Sequence, residues 1–570
     1  MSSDERWHDL ADRVLDAVLA DVPDVATSLG DHRFDDRLPD LGPEGVEARA
    51  GRLHDALSAL DQVDDTLLEP EDRVDLEMLR STVASAHWQL TEFRGHESDP
   101  LVHLPSGALY SLIARPGADP VATLRALGSR LAAVPAHLAR AREVLGVMPR
   151  VHVETAIGQA RGTAALLDAP LTERLEAAPA SAGDLAGELA EPRRAAAEAL
   201  EEYASWLTDQ LPHADADPRL GEQRYAARLW YALDSETTPD QVLTRAESDL
   251  QAVEEELAEL ASRLDGAPPR PGQVGDVLAR FAASAPIDDA TILPTCETAL
   301  AEVTARTRAL DLVTIPDDPV RIIVMPEAHR GVAVAYCDPP GPLEPLGPDG
   351  PEPTFFAVSP TPAGWSPERV ASFYREYNGH QLRCLSVHEG VPGHLLQLAH
   401  AARFSRERIA AAGGRGGGAR VRAAFWSGAF TEGWAVYTEE LLARTGLGLG
   451  DDVDDGYRLH RLKMLLRTTI NAILDVRVHA HGMTEAEAMH LMTVRGHQEE
   501  GEAAGKWRRA LLTSAQLSTY YVGHQAVRDI VADLRRERAG ASERELHDAV
   551  LAHGSPAPRH LRALLDLPAR

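Results

Sequence analysis

Lysine is almost absent. Of 57 lysines and arginines only Lys463 and Lys506 are lysines, so nearly all positive charge is arginine. Against 88 acidic residues the formal net charge is −31, which repels phosphate backbones and excludes nucleic acid as an expected partner. Cysteine is scarce as well. Cys296, Cys337 and Cys384 form no CxxC pair and are too few and scattered for a disulfide framework, so reduced thiols are expected. No run of about 18 uncharged apolar residues occurs, so no membrane-spanning segment is expected. The opening MSSDERWHDLADRVLDAVLA is charged and amphipathic and lacks the basic start and apolar core of a signal peptide. A cytoplasmic chain with no membrane partner is the expectation, and the oligomeric state is left open. A GxSxG elbow is also missing, and no cysteine sits in a nucleophile motif, which ranks a metal-independent hydrolase last.

What is present is ordinary globular material, 44% hydrophobic and 25% charged over 570 residues. Apolar positions recur at helical spacing over residues 5–22, 43–61 and 71–93, and again from about 120 to 212. That half is rich in Ala, Leu, Glu and Arg and predicts packed antiparallel helices, for which a scaffold role is the plainest account. Helices continue over 239–264 and 289–310. The character then changes: residues 320–325, 331–337 and 354–358 are β-branched or aromatic runs bounded by Pro and Gly, and predict a small sheet. A long Pro/Gly stretch between the last two predicts a surface loop, and helices resume from 366. The AAAGGRGGGAR patch, 410–420, predicts a mobile loop near the site, a tolerated insertion in preference to a lid. The expected division is an N-terminal helical lobe, 1–238, and a second lobe, 239–570, with the sheet and the candidate site, the two forming one unit around a cleft.

The chemistry concentrates in LSVHEGVPGHLLQLAH, residues 385–400. Two histidines and a carboxylate within seven residues are the raw material of a zinc-activated water with glutamate as general base. In the familiar HExxH form the histidines stand four apart on one helical face. Here His388 and His394 stand six apart, roughly 120° around a regular helix, and cannot converge on one ion. Pro392 removes a backbone donor and clashes with the preceding turn, and Gly393 tolerates the dihedrals of a break. The spacing therefore predicts a helix interrupted at Pro392–Gly393, with His394 re-aimed toward His388.

Downstream, AFTEGWAVYTEELLAR (429–444) places Glu432 in the first turn of an amphipathic helix, where it is either a third ligand or a carboxylate favouring the helix dipole. Asp475 and His479 stand four apart on one helix and can meet on one face. They are either a carboxylate-held histidine that supports the site and its transition state, or a solvated polar pair. Tyr520, Tyr521 and His524 close the set. A tyrosine hydroxyl there can stabilise an oxyanion, although a helical tyrosine is more often core.

HEGVPGHLLQ, preceded by EYNGHQL and followed by TEGWAVYTEEL, resembles the bacterial domain-of-unknown-function 885 family, whose members carry HExxPGH and a later EGWA-Y element. DVRVHAHGMT and STYYVG resemble two further family segments, and SLGDHRFDDRLPD extends the likeness to most of the chain. The chain departs from the family at three places: His394-Leu395 replaces a histidine doublet, Ser514-Ala515 a Pro-Gly, and Met483 a tryptophan. The resemblance implies a mainly α, two-lobed, zincin-like (gluzincin-type) architecture with a small sheet near 320–358. It also implies Zn2+ held by His388, His394 and Glu432, Glu389 as general base, and Tyr520 as the family tyrosine. A zinc-dependent hydrolase of short peptides or another amide is the expectation, with His479 aiding the oxyanion and Asp475 behind it. The alternative is a non-catalytic binding or scaffold protein with a degenerate metal site.

Overall fold

The computed structural model describes residues 3–115, 117–179, 183–325, 334–346, 350–362, 364–412 and 417–568. The chain is mainly helical with one small sheet, and it divides into two compact units. One comprises residues 1–218, 340–352 and 405–425, the other 219–339, 353–404 and 426–570.

In the first unit the helical periodicity becomes Ser3–Asp21, Pro43–Leu60, Pro70–Trp88, Pro120–Val144, Arg150–Leu166 and Leu185–Gln210. Several of these helices begin with proline at their first position, where the missing N–H has no intrahelical partner to lose. Their apolar stripes meet in a core that includes Leu124, Leu131, Leu138, Val153, Leu200 and Leu207. Each fully buried leucine contributes roughly 1.5–3 kcal/mol. Arg130 is 0% exposed in this unit, and its guanidinium donates to the carbonyls of Arg37, Ala108 and Pro23 and to Thr27 Oγ1, so each of its three nitrogens has a partner.

The Pro/Gly stretch expected as a surface loop contributes residues 340–352 to this unit. There Leu343 N–H donates to the Leu29 carbonyl and Glu344 pairs with His32 at 2.9 Å. The glycine patch differs from expectation where it is described. Residues 413–416 lie outside the described residues, but Gly417–Ala424 is a helix. The buried Arg422 ties it to Asp75 at 2.6 Å, and this pairing outweighs the helix-breaking entropy of Gly417 and Gly418.

The second unit holds the sheet. Strands β1 (Val320–Val324), β2 (Ala335–Asp338) and β3 (Thr354–Val358) stand in the order β1-β3-β2, with β1 parallel and β2 antiparallel to β3. The start of the second expected strand, residues 331–333, lies outside the described residues. Phe356 and Val358 pack with Ile292, Cys296, Leu382 and Leu385, which seats the sheet on the helix that carries the first half of the histidine motif.

Six helices matter for the site, α2 by its first residues in this unit and the rest wholly within it: α1 (Gly379–Glu389), α2 (His394–Ala411), α3 (Gly428–Thr445), α4 (Asp451–His481), α5 (Glu500–Leu512) and α6 (Gln516–Glu537). The side chains of Asn378 and Ser427 cap α1 and α3 by accepting from backbone N–H groups of their first turns. Phe430 and Trp434 of α3 pack with Val387, Val391, Val527 and Ile530, so α1, α3 and α6 share one core. No described helix is long and apolar enough to cross a membrane.

Candidate metal centre

The motif breaks where proline and glycine predict. α1 ends at Glu389 and α2 begins at His394, with residues 390–393 non-helical between them and the Val391–Pro392 peptide cis. Gly393 is required by close approach: a Cβ there would stand 2.0 Å from the His388 carbonyl oxygen. Trp434 of α3 donates its indole N–H to the Pro392 carbonyl at 2.8 Å, which fixes the break to the helix carrying Glu432. The His388 and His394 rings consequently stand 4.7 Å apart and nearly perpendicular.

Glu432 faces both rings. Its Oε2 lies 3.4 Å from His388 Nε2 and 3.3 Å from His394 Nε2, long for N–H···O bonds. They are the right length for something else. Ligands about 2.0–2.1 Å from a tetrahedral zinc are separated by about 3.4 Å along a tetrahedral edge. One ligand atom from each residue falls within a 4.8 Å group, and the buried Glu432 Oε2 has no hydrogen-bond partner among the described residues. A cation would satisfy that oxygen, and two imidazoles with one carboxylate are a donor set that could hold zinc with a position open. Burial alone would raise the Glu432 carboxyl, but the two imidazoles more than reverse this and hold it well below the usual range.

Glu439, which the motif analysis did not single out, holds the other edge of His388. Its Oε1 is 2.7 Å from Nδ1 and its side chain 2% exposed. Nδ1–H donating to this carboxylate turns Nε2 toward Glu432, the nitrogen a metal would take once its proton has left. Burial lowers the His388 pKa, yet Glu432 and Glu439 together carry it well above its ordinary value. Glu439 lies seven residues after Glu432, about 20° off the same helical face two turns on. That periodicity is the signal that could have found it.

Glu389 is buried beside the histidines and accepts a hydrogen bond from the Cys337 backbone N–H of β2. Burial raises its carboxyl above the usual range, with the two histidines opposing.

Tyr520 reaches the same neighbourhood through a backbone-to-backbone helix crossing. A Cβ on Gly433 would stand 2.3 Å from the Gly523 carbonyl carbon, and one on Gly523 1.9 Å from the Ala429 oxygen. These glycines belong to the TEGW and STYYVG segments and let α3 and α6 touch. The Tyr520 hydroxyl accepts from Arg509 Nη2 at 3.1 Å and from Gln516 Nε2 at 3.3 Å. Burial, and then the negative charge of Glu432, push its pKa up to about 12, so the phenol keeps its proton.

Asp475 and His479 make other contacts. The Asp475 carboxylate accepts from the Ala515 and Ser518 N–H groups and from Ser518 Oγ, capping α6 from outside. His479 Nε2 lies 2.9 Å from the Ala510 and Thr513 carbonyls, its ring stacks on Tyr225, and Asp475 is 4.0 Å away. Among the described contacts the pair ties α4 to the α5–α6 turn and does not touch the histidine motif. Tyr521 donates to Asp249 and His524 pairs with Glu440, both within the helix packing.

No curated protein matches the chain. Among solved structures, a candidate lipoprotein of unknown function from Shewanella oneidensis is 25% identical, with a TM-score of 0.78 over 98% of this chain and 99% of that one. A candidate lipoprotein from Colwellia psychrerythraea is 16% identical, with a TM-score of 0.79 over 99% of both chains. An M32 carboxypeptidase from Deinococcus radiodurans R1 is 12% identical, with a TM-score of 0.41 over 98% of this chain and 90% of that one. The family model for bacterial proteins of unknown function, DUF885, matches residues 23–565, and the chain belongs to that family.

Proposed function

We propose that this protein is a zinc-dependent hydrolase of short peptides or another small amide. The observation that carries the proposal is the convergence of His388, His394 and Glu432 within 4.8 Å, with both Glu432–histidine distances at tetrahedral-edge length, beside the buried Glu389. A zinc ion held by those three residues supplies Lewis acidity toward water and toward an amide carbonyl. Glu389 follows His388 on α1 and takes the proton of the attacking water, then delivers it to the departing amine nitrogen. Tyr520, protonated and held by two donors that leave its own O–H free, donates to the oxyanion as the carbonyl becomes tetrahedral. Glu439 keeps His388 in the right tautomer. Asp475 and His479 act at one remove, by anchoring the start of the helix that presents Tyr520.

The test is metal analysis of protein purified without chelator, coupled to digestion of a peptide library. Stoichiometric zinc and zinc-dependent cleavage are expected. Glu389→Gln should keep the metal and lose at least about 100-fold in turnover. Absence of bound zinc would overturn the proposal in favour of a binding or scaffold protein.

A further inference from the structure

Helix α5, beside Tyr520, carries two basic side chains for which no carboxylate stands at ion-pair distance among the described residues. Lys506 and Arg509 stand three residues apart on α5, neighbours on one side of the helix. The acidic groups around them are already committed: Glu376 to Lys463 at 2.8 Å, Glu502 to Arg467 at 2.5 Å and Glu499 to Arg375 at 2.7 Å. Among the described residues neither Lys506 nor Arg509 has a carboxylate at ion-pair distance. Arg509 spends its Nη2 on two neutral acceptors, Gln516 Oε1 at 2.8 Å and the Tyr520 hydroxyl at 3.1 Å. Lys506 is 5% exposed. Burial first, then Arg467 and Arg509, drives the Lys506 pKa well below its ordinary value, with the charges of Glu502 and Glu376 opposing.

An unpaired ammonium in the interior is costly. Here it stands in a chain of net charge −31 that has only two lysines, the other being fully paired. Arg509 donates to the hydroxyl of Tyr520, on which the charge of the candidate ligand Glu432 also acts. A guanidinium keeps its charge and matches carboxylate geometry, and an ammonium beside it adds a second donor group.

We propose that Lys506 and Arg509 form an anion subsite that seats a carboxylate of the substrate next to the metal ligands. The inference rests on the hydrolase reading above and narrows its substrate class to acidic peptides, or peptides with a free chain end. Because Arg509 also holds the Tyr520 hydroxyl, seating the carboxylate orders the phenol at the same time.

The experiment uses full-length Glu389→Gln protein loaded with zinc, and calorimetric binding of three N-acetylated peptides: a C-terminal acid, its C-terminal amide, and an amide with an interior glutamate. The acid is expected to bind about tenfold or more tighter than the amide, the scale of a charge-assisted hydrogen bond. Adding Arg509→Met or Lys506→Met should abolish that preference while zinc content and affinity for the plain amide stay. Preference for the interior glutamate would assign the subsite to an acidic side chain in place of the chain end. Equal binding of all three peptides, or a preference that survives both substitutions, overturns the proposal.

Thermal unfolding gives an independent reading. Lys506→Met should leave the midpoint unchanged or raise it, because it removes a buried basic group that lacks an ion pair. A fall of several degrees would show Lys506 to be a structural partner and overturn its part in the subsite. Failure to retain zinc would sink the hydrolase reading alone, since acid against amide can still be compared on the metal-free protein.

Discussion

Replacing Glu439 by glutamine tests the arrangement around His388 most directly, because it changes charge with little change in size. The interaction at stake is the 2.7 Å contact from His388 Nδ1 to Glu439 Oε1, with side chains 10% and 2% exposed. A hydrogen bond to a charged group is worth about 1.5–3 kcal/mol. At about 1.4 kcal/mol per decade that is roughly 10–100-fold in a binding constant. Losses of roughly that range follow removal of the outer partner of a metal-ligating histidine. Glutamine still offers an oxygen to Nδ1–H and should fall at the lower end, about tenfold weaker zinc binding. Glu439→Ala removes the acceptor and leaves a void, and should reach the upper end of the range, about a hundredfold. The assay is competition for zinc between metal-free protein and a chelator of known affinity. Zinc affinity unchanged in both variants would refute the role given to Glu439. A glutamine variant as impaired as the alanine one would show that the carboxylate's charge, and not the held tautomer, carries the effect.

Two further expectations follow from the same region. Gly433→Ala and Gly523→Ala each place a methyl against backbone of the facing helix, at 2.3 and 1.9 Å, so neither clash can be relieved by turning a side chain. Each should cost about 1–3 kcal/mol or more, read as a lower urea midpoint. Turnover should fall further than stability does, because Tyr520 moves with α6. Glu440 should govern part of the acid sensitivity. Burial raises its carboxyl, but the hydrogen bond from His524 and the charge of Arg461 outweigh this and bring it from 4.5 down to about 2. Its folded-state pKa being the lower, it contributes stability above pH 4.5 that disappears as the pH falls from 4.5 to about 2. Urea titrations across that window should show Glu440→Gln less stable than the wild type at neutral pH and flatter toward acid. Parallel acid limbs would refute the assignment.

Much of the candidate site is legible along the chain, and the residues that are not share a reason. His388, Glu389 and His394 declare themselves by type and spacing, and Pro392-Gly393 announces the break that lets them converge. Glu432 is legible only in their company, since a glutamate in a first helical turn has a dipole role open to it. Glu439 sits in the same segment and repeats Glu432 two turns later, yet nothing local says that His388 will lie against that second turn. Asp475 and His479 show the opposite case. Their spacing permits a meeting, but helix α6 supplies Asp475 with N–H donors and the turn before it supplies His479 with carbonyls. Each side chain follows the stronger partner. The glycine patch reads as a loop on local entropy, whereas the buried Arg422–Asp75 pair that holds Gly417–Ala424 as a helix joins residues far apart in sequence.

Sequence by itself determined the helical character, the short strands before the motif, the interruption at Pro392 and the donor types offered to a metal. These are local properties, written in periodicity, proline geometry and side-chain chemistry. Tertiary structure alone decided which carboxylate orients His388, that Gly433 and Gly523 let the helices carrying Glu432 and Tyr520 touch, and that no described carboxylate stands at ion-pair distance from Lys506 or Arg509. Those outcomes depend on which faces of distant helices meet, and packing settles them only once the chain has folded.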